Sequence, residues 1–263
     1  FYAFLINLRI LKKSETHAAK IQDEIYWYNN IPNKLKIYTP AFIDSTDNSY
    51  ELEFINFSPL QELFMFQMPE PHDWDKILDK TFNMIGMFGK LTTAQQRKSL
   101  TVDDYRRFYI GKTMSRAIEA WKDPFIADME SQSILFINGH DYKPLHALGI
   151  VKKNFYMDYI LYDNMEQFTQ IIHGDLFFGN MLYDINSETL KIVDPRGSFG
   201  AGQSIIGDVR YDLAKLCHSI YGEYDFISNG IYSYLSDEND SLEIHFKTYG
   251  NTAATARLIR DFS

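Results

Sequence analysis

Apolar residues at every second position open the chain. The alternation from Phe4 to Ile10 predicts one buried strand over residues 1–11, with Asn7 and Arg9 on the opposite face. The apolar face continues to Lys12, so this lysine is predicted to point inward.

The period then changes to that of a helix. Apolar residues recur at spacings of three and four between Ala18 and Tyr28, and Pro32 follows the last of them. Glu24 lies on the same stripe, so its carboxylate is also predicted to face inward.

Two short apolar runs between Thr39 and Phe57 flank a turn-rich stretch at residues 44–49, which predicts a hairpin. After it, Asp73 is placed to cap a helix whose apolar face extends from Trp74 to Phe88. The chain therefore changes from strand-rich to helical.

The prolines between these parts predict a boundary at residues 58–72. It divides an N-terminal lobe, residues 1–57, from a helical C-terminal lobe, residues 73–263.

In the second lobe, residues 181–184 and 190–193 are predicted to form two short strands. A helix capped by Asp208 is predicted to follow, and residues 137–153 are assigned to a loop.

Composition excludes several classes of protein. A formal net charge of -9 over 263 residues, without a basic stripe, argues against nucleic acid as a partner. The single cysteine, Cys217, allows no intrachain disulfide, which favours a reducing, cytoplasmic location. The apolar opening stretch is shorter than a membrane-spanning helix.

The strongest chemical signal is the segment Ile171-Ile172-His173-Gly174-Asp175-Leu176-Phe177-Phe178-Gly179-Asn180, followed by Ile192-Val193-Asp194. A carboxylate can accept the proton of a hydroxyl that attacks phosphorus, and Asp175 is the candidate base. Magnesium prefers hard oxygen ligands, which Asn180 and Asp194 supply.

These motifs resemble the aminoglycoside phosphotransferase and choline kinase group, whose catalytic loop reads H-G-D-x-x-x-x-N. The resemblance covers residues 171–216 and includes the run Asp208-Val209-Arg210-Tyr211-Asp212-Leu213-Ala214. It implies a bilobal protein-kinase-like α+β fold with a small β-rich lobe. It also implies an ATP- and Mg²⁺-dependent transfer of phosphate to a small-molecule hydroxyl.

Several polar residues near these motifs could have structural roles instead of chemical ones. His173 is grouped with the catalytic residues, but bracing of the loop by hydrogen bonds is favoured over chemistry. Asp208 and Asp212 fit a helix cap and a first-turn carboxylate. Arg196 fits either a phosphate contact or a salt bridge.

Lys12 and Glu24 are the candidates for the ion pair that positions nucleotide phosphates in kinase-like folds. Lys13 is the alternative lysine, and an ordinary surface pair is the alternative role. No glycine precedes Gly86, so either another loop covers the phosphates or a glycine-rich loop lies upstream of Phe1.

The main chain of Glu53, Phe54 and Ile55 is predicted to form an inter-lobe hinge that contacts adenine, with an edge strand as the alternative. Tyr221, Tyr224 and Asp225 are the candidates for contacts with the acceptor.

The resemblance to this family implies that the acceptor is a sugar, an amino alcohol or a polysaccharide precursor. The Asp194 to Gly200 run is similar to that of kinase-like proteins of bacterial capsule and surface-sugar biosynthesis. An aromatic cage for a quaternary ammonium group is the less favoured reading of the many aromatic residues.

Two rival functions remain. One is a pseudokinase that binds nucleotide or a partner without turnover. The other is a metal-dependent phosphohydrolase that uses His173, Asp175, Asp194 and Asp208.

Overall fold

The computed structural model describes residues 2–6, 8–66, 69–131, 134–137, 140–142, 164–236 and 241–246. They fall into two compact units. The first contains the described residues within 1–100 and 166–225, and the second contains those within 101–165 and 226–247.

The strands are β1 (Tyr2–Ile6), β2 (Arg9–Lys13), β3 (Phe42–Ser45), β4 (Ser49–Glu53), β5 (Ser58–Pro59), β6 (Leu135–Ile137), β7 (His140–Tyr142), β8 (Thr169–Ile171), β9 (Met181–Asp184), β10 (Thr189–Ile192), β11 (Ser198–Phe199), β12 (Gly202–Gln203), β13 (Ile206–Asp208), β14 (Tyr232–Ser236) and β15 (Ser241–Phe246).

The α-helices are α1 (Ala18–Asn30), α2 (Leu60–Met65), α3 (Pro71–Leu91), α4 (Ala94–Arg97), α5 (Val102–Tyr105), α6 (Lys112–Ala120), α7 (Pro124–Ser131), α8 (Met165–Phe168), α9 (Val209–Ile220) and α10 (Tyr224–Ser228). Short 3-10 helices span Asn33–Tyr38 and Phe178–Asn180, and a π-helix spans Arg106–Gly111.

An antiparallel sheet of order β1-β2-β4-β3 forms the N-terminal part of the first unit. The predicted helix and the predicted hairpin are confirmed as α1 and β3-β4. The prediction of one strand over residues 1–11 was wrong, because Ile6 pairs with Arg9 across a turn. Leu8 has a positive φ of 62° and is 73% exposed. Directly paired residues share a face of the sheet, so the Ile6–Arg9 pairing places Ile10 and Lys12 on the face opposite to that of Ile6. The alternation predicted from Phe4 to Lys12 is therefore not one continuous face.

Helix α3 confirms the helix predicted from residue 73, but its start differs. The N-cap is Glu70, and Asp73 is the third helical residue, which completes a capping box by accepting the Glu70 N–H at 3.1 Å. Trp74 packs in the core with Phe64 and Phe178 at ring distances of 5.8 and 5.7 Å.

The β9-β10 hairpin and helix α9, capped by Asp208, confirm the predictions for that region. Residues 137–153 are not all loop, because β6 pairs with β7 in the second unit. The rest of that prediction, from residue 143 onward, lies outside the described residues.

The fold is mixed α+β with small, mostly antiparallel sheets, as predicted. The lobe boundary at residues 58–72 stays a prediction. Within the described ranges, helices long and apolar enough to cross a membrane are absent.

Candidate active site

Lys12 joins two acidic side chains from distant parts of the sequence. Its Nζ lies 2.8 Å from Oε2 of Glu24 and 3.0 Å from Oδ1 of Asp194. The inward face of β2 and the buried stripe of α1 supply the first two residues, as the sequence predicted for their orientation. Lys12 is 7% exposed and Glu24 is fully buried, whereas the Asp194 side chain is 42% exposed. Lys12 and Glu24 are therefore the buried members of this cluster, and Asp194 is the member that solvent reaches.

Tyr50 extends this cluster and was missed by the sequence reasoning. It is the cross-strand neighbour of Lys12, and its hydroxyl donates to Oε2 of Glu24 at 2.7 Å and to Oδ1 of Asp194 at 3.5 Å. Burial raises the pKa of Glu24, while the Lys12 charge and the Tyr50 hydroxyl oppose this rise. The signal was present in the alternation of β4, which puts Tyr50 on the same face as Leu52.

A cavity of about 280 Å³ adjoins the cluster. Its polar lining residues are Lys12, Tyr50, Glu53 and Asp194, and the other lining residues are Ile10, Pro40, Leu52, Phe54, Ile55, Leu182 and Val193. The three residues predicted to form the hinge thus line the same cavity as the predicted lysine and the predicted metal ligand.

Two backbone N–H groups of the Glu53 to Ile55 segment, the predicted hinge, are already bonded within the protein. Phe54 donates to the carbonyl of Leu8 at 2.9 Å, and Glu53 donates to the carbonyl of Ala41 at 2.9 Å. The Glu53 carboxylate also accepts the Ala41 N–H at 3.2 Å. These bonds hold the segment at the end of β4 against the neighbouring strands.

His173 is buried and bonded at both ring nitrogens. Its Nε2 lies 2.9 Å from the carbonyl oxygen of Val193, and because a carbonyl only accepts, Nε2 carries the proton. Nδ1 then accepts the N–H of Asp175 at 3.3 Å. Burial lowers the pKa of His173 to about 4, so the ring is neutral at pH 7. This geometry is that of a residue that positions the loop, which is the role that the sequence favoured for His173.

The loop from His173 to Asn180 is tied to α9 by Asp212. The two carboxylate oxygens of Asp212 accept the N–H groups of His173 and Gly174, each at 2.8 Å. Burial raises the pKa of Asp212 to about 7, although both hydrogen bonds favour its ionised form. Asp212 is a first-turn residue as predicted, but its contacts are with the loop.

Asp208 caps α9 by accepting the Arg210 N–H at 2.9 Å and forms an ion pair with the Arg210 side chain at 2.8 Å. It is fully buried, which agrees with the structural reading of this residue.

The loop also brings the three predicted reaction residues together. The Asn180 Nδ2 donates to the Asp175 carbonyl at 2.9 Å, and the Asn180 carbonyl accepts the Val193 N–H at 3.0 Å. Asp194 follows directly and has a positive φ of 59°, which aspartate tolerates better than most residues and which is common at functional sites.

Lys215 is a second residue that the sequence reasoning missed. Its Nζ lies 2.8 Å from Oδ1 of Asp175. Burial by itself would raise the pKa of Asp175, but the hydrogen bond and charge of Lys215 reverse this, and the pKa is lowered. Lys215 follows Asp212 by three residues, so both occupy one face of α9. That spacing was the available signal.

The four candidate substrate residues, Arg196 for a phosphate and Tyr221, Tyr224 and Asp225 for the acceptor, have different environments. The Arg196 N–H donates to the His173 carbonyl at 2.8 Å. Tyr224 stacks on His218, with ring centroids 4.2 Å apart. Tyr221 is 43% exposed at the end of α9. Asp225 is fully buried, and burial raises its pKa to about 6, so the structure does not bring its carboxylate to the surface.

The donor chemistry of Asn180 and Asp194 fits a hard cation. The Nδ2 of Asn180 is held by the Asp175 carbonyl, so the amide oxygen is the end available to a metal. Within the described part of the chain, groups of three or more His, Cys, Asp or Glu side chains suited to a metal are absent. Magnesium commonly takes only one or two protein carboxylates and completes its shell with phosphate oxygens and water.

Comparison of the chain with known protein families, with curated proteins and with solved structures found no match.

Proposed function

We propose that this protein is an ATP- and Mg²⁺-dependent phosphotransferase that moves the γ-phosphoryl group to a hydroxyl of a small molecule. The observation that carries the proposal is the position of Lys12, between Glu24 and Asp194 at the polar side of the cavity that Glu53 to Ile55 line. A strand lysine, a helix glutamate and a metal-binding aspartate in this relation are the parts that phosphoryl transfer requires.

The cavity suits a purine on one side and phosphates on the other. Apolar side chains such as Leu52 and Leu182 would face the base. Since the N–H groups of Glu53 and Phe54 are bonded within the protein, the Glu53 carbonyl and the Ile55 N–H are the main-chain groups that would pair with adenine.

Lys12 would contact the α- and β-phosphates, because it lines the cavity. Glu24 and Tyr50 fix its position from behind. Asn180 and Asp194 would hold Mg²⁺, which neutralises phosphate charge in transfers of this kind.

Asp175 would accept the acceptor proton. The acceptor oxygen attacks the γ-phosphorus, the new O–P bond forms as the bond to the leaving ADP breaks, and the proton passes to the carboxylate. Lys215 keeps Asp175 ionised, and the neutral His173 holds the Asp175 backbone in place.

The test is a transfer assay with ATP, Mg²⁺ and a panel of small alcohols, in which ADP release and the mass of a phosphorylated product are both measured. We expect a product whose formation falls about 10²- to 10⁴-fold in Asp175→Asn, because a general base is lost. Nucleotide binding should persist in that variant. Asp47→Asn changes an exposed aspartate and serves as the matched control.

Three outcomes would reject the proposal. ADP and phosphate without a phosphorylated acceptor would indicate a phosphohydrolase. Nucleotide binding without turnover across the panel would indicate a binding module. A rate of transfer in Asp175→Asn equal to that of the wild type would show that Asp175 is not the general base.

A further inference from the structure

The charged groups around Asp175 indicate which charge the acceptor molecule should have. Lys215 lies 2.8 Å from the Asp175 carboxylate, and both side chains reach the surface, with 19% and 34% exposure. A cationic group therefore faces the position that the acceptor hydroxyl must occupy.

The neighbouring carboxylates are engaged or buried. Asp212 accepts two backbone N–H groups of the loop, and Asp225 is fully buried. Asp175 itself is already paired with Lys215. A cationic acceptor would have to displace or repel Lys215, whereas an anionic acceptor would gain a partner.

An ammonium group has three N–H donors, and the bond to Asp175 uses one of them. Lys215 can thus hold the catalytic carboxylate and a second anion at once. Its Nζ also lies 5.7 Å from the centre of the Phe177 ring, and the Phe177 and Tyr224 rings are nearly perpendicular with their centroids 5.5 Å apart. These rings offer apolar area beside the ammonium group, suited to the carbon face of a small molecule.

We propose that the acceptor is a small polyol that carries a carboxylate or phosphate group, and that Lys215 selects it by binding this anion. The proposal rests on the proposed phosphotransfer at Asp175. It deepens that function by naming the charge class of the acceptor and a specificity-determining residue.

The test compares ligands of one ring and different charge: glucuronate and glucose 6-phosphate, neutral glucose, and cationic glucosamine. Binding is measured by calorimetry at low salt, with ADP and Mg²⁺ present so that no transfer occurs. We expect the anions to bind about 10- to 100-fold more tightly than glucose, as one charge-assisted hydrogen bond allows, and glucosamine to bind most weakly. The two anions separate a carboxylate-specific site from a phosphate-specific one.

Lys215→Met should abolish the preference for the anions and leave the affinity for glucose within about threefold, whereas Lys215→Arg should retain the preference. Lys98→Met, at an exposed lysine of the same unit, is the matched control and should behave as the wild type.

The proposal falls if glucose or glucosamine binds as tightly as the anions, if neither anion binds at millimolar concentration, or if Lys215→Met weakens all ligands equally. Separate titration with ATP and Mg²⁺ distinguishes this failure from failure of the phosphotransferase proposal, since nucleotide binding does not depend on the acceptor.

Discussion

His173 shows how one side chain can set the geometry of a loop without reacting. Its Nε2 donates to the Val193 carbonyl and its Nδ1 accepts the Asp175 N–H, so it links the strand before Asp194 to the residue proposed as base. The bond from the Asp175 N–H requires the neutral ring, because a protonated Nδ1 cannot accept, whereas Nε2 can donate to Val193 in either protonation state. The charges of Asp175 and Asp194 favour protonation, but burial outweighs them and lowers the pKa to about 4.

This shift predicts a pH dependence of stability. A histidine whose pKa falls from 6.5 to about 4 on folding stabilises the protein fully above pH 6.5, and this contribution is lost as the pH falls towards 4. At 1.36 kcal/mol per pKa unit, the loss between pH 7 and pH 5 is about 2 kcal/mol.

His173→Gln provides the comparison, because glutamine keeps a donor and an acceptor but does not titrate. Urea unfolding at pH 7 and pH 5, followed by tryptophan fluorescence, should show that the wild type loses about 2 kcal/mol more than the variant. Equal losses in both proteins would contradict the buried, neutral state of His173.

Helix α9 acts as the support of the loop. Three residues on one of its faces contact the loop in turn: Asp212 binds the N–H groups of His173 and Gly174, Lys215 pairs with Asp175, and the Ser219 hydroxyl accepts the N–H of Phe178 at 3.0 Å. Spacings of three and four place them in one row. The helix therefore fixes the loop backbone and the ionisation of Asp175 together.

Asp212→Asn tests this support. An amide cannot accept at both of its ends, so one buried N–H loses its partner. We expect a loss of roughly 1–3 kcal/mol in the free energy of unfolding and a fall in transfer rate. Urea unfolding and the transfer assay measure the two effects.

Ser219→Ala leaves both Asp212 hydrogen bonds in place and should lower the transfer rate less. Asp79→Asn, at an exposed position of α3, should change neither quantity. A stable and fully active Asp212→Asn protein would show that α9 does not position the loop.

The described residues of the first unit come from two segments of the chain, one within residues 1–100 and one within residues 166–225. The cavity is lined from both, with Lys12 and the Glu53 to Ile55 segment from one and Leu182, Val193 and Asp194 from the other. A ligand in this cavity would contact both segments and stabilise the folded unit by mass action.

ATP with Mg²⁺ should therefore raise the unfolding temperature. At a ligand concentration of about a hundred times Kd the gain is about 2.7 kcal/mol, or roughly 5–10 °C for a unit of this size. ATP with EDTA should give a smaller shift, because the phosphates then lack their counter-charge. Scanning fluorimetry measures both.

Asp194→Asn should reduce the shift with Mg²⁺ to about that seen with EDTA, whereas Asp47→Asn should retain it. A shift that is equal with and without Mg²⁺ in the wild type would argue against a metal at Asn180 and Asp194.

Local patterns in the sequence determined the type of most elements near the site. Helix α1, the β3-β4 and β9-β10 hairpins and the capped start of α9 were all predictable, because period and capping chemistry act within a few residues. Order and spacing alone also singled out Asp175, Asn180 and Asp194 as one group.

The tertiary structure alone decided two further contacts. The sequence predicted the Lys12–Glu24 pair, but only the packing of elements far apart in the chain brings Asp194 to Lys12 and Lys215 to Asp175. A periodic pattern reveals which face of an element turns inward but not what lies opposite. The turn at Leu8 escaped prediction for a related reason, since a run of alternating apolar residues does not show where the backbone reverses.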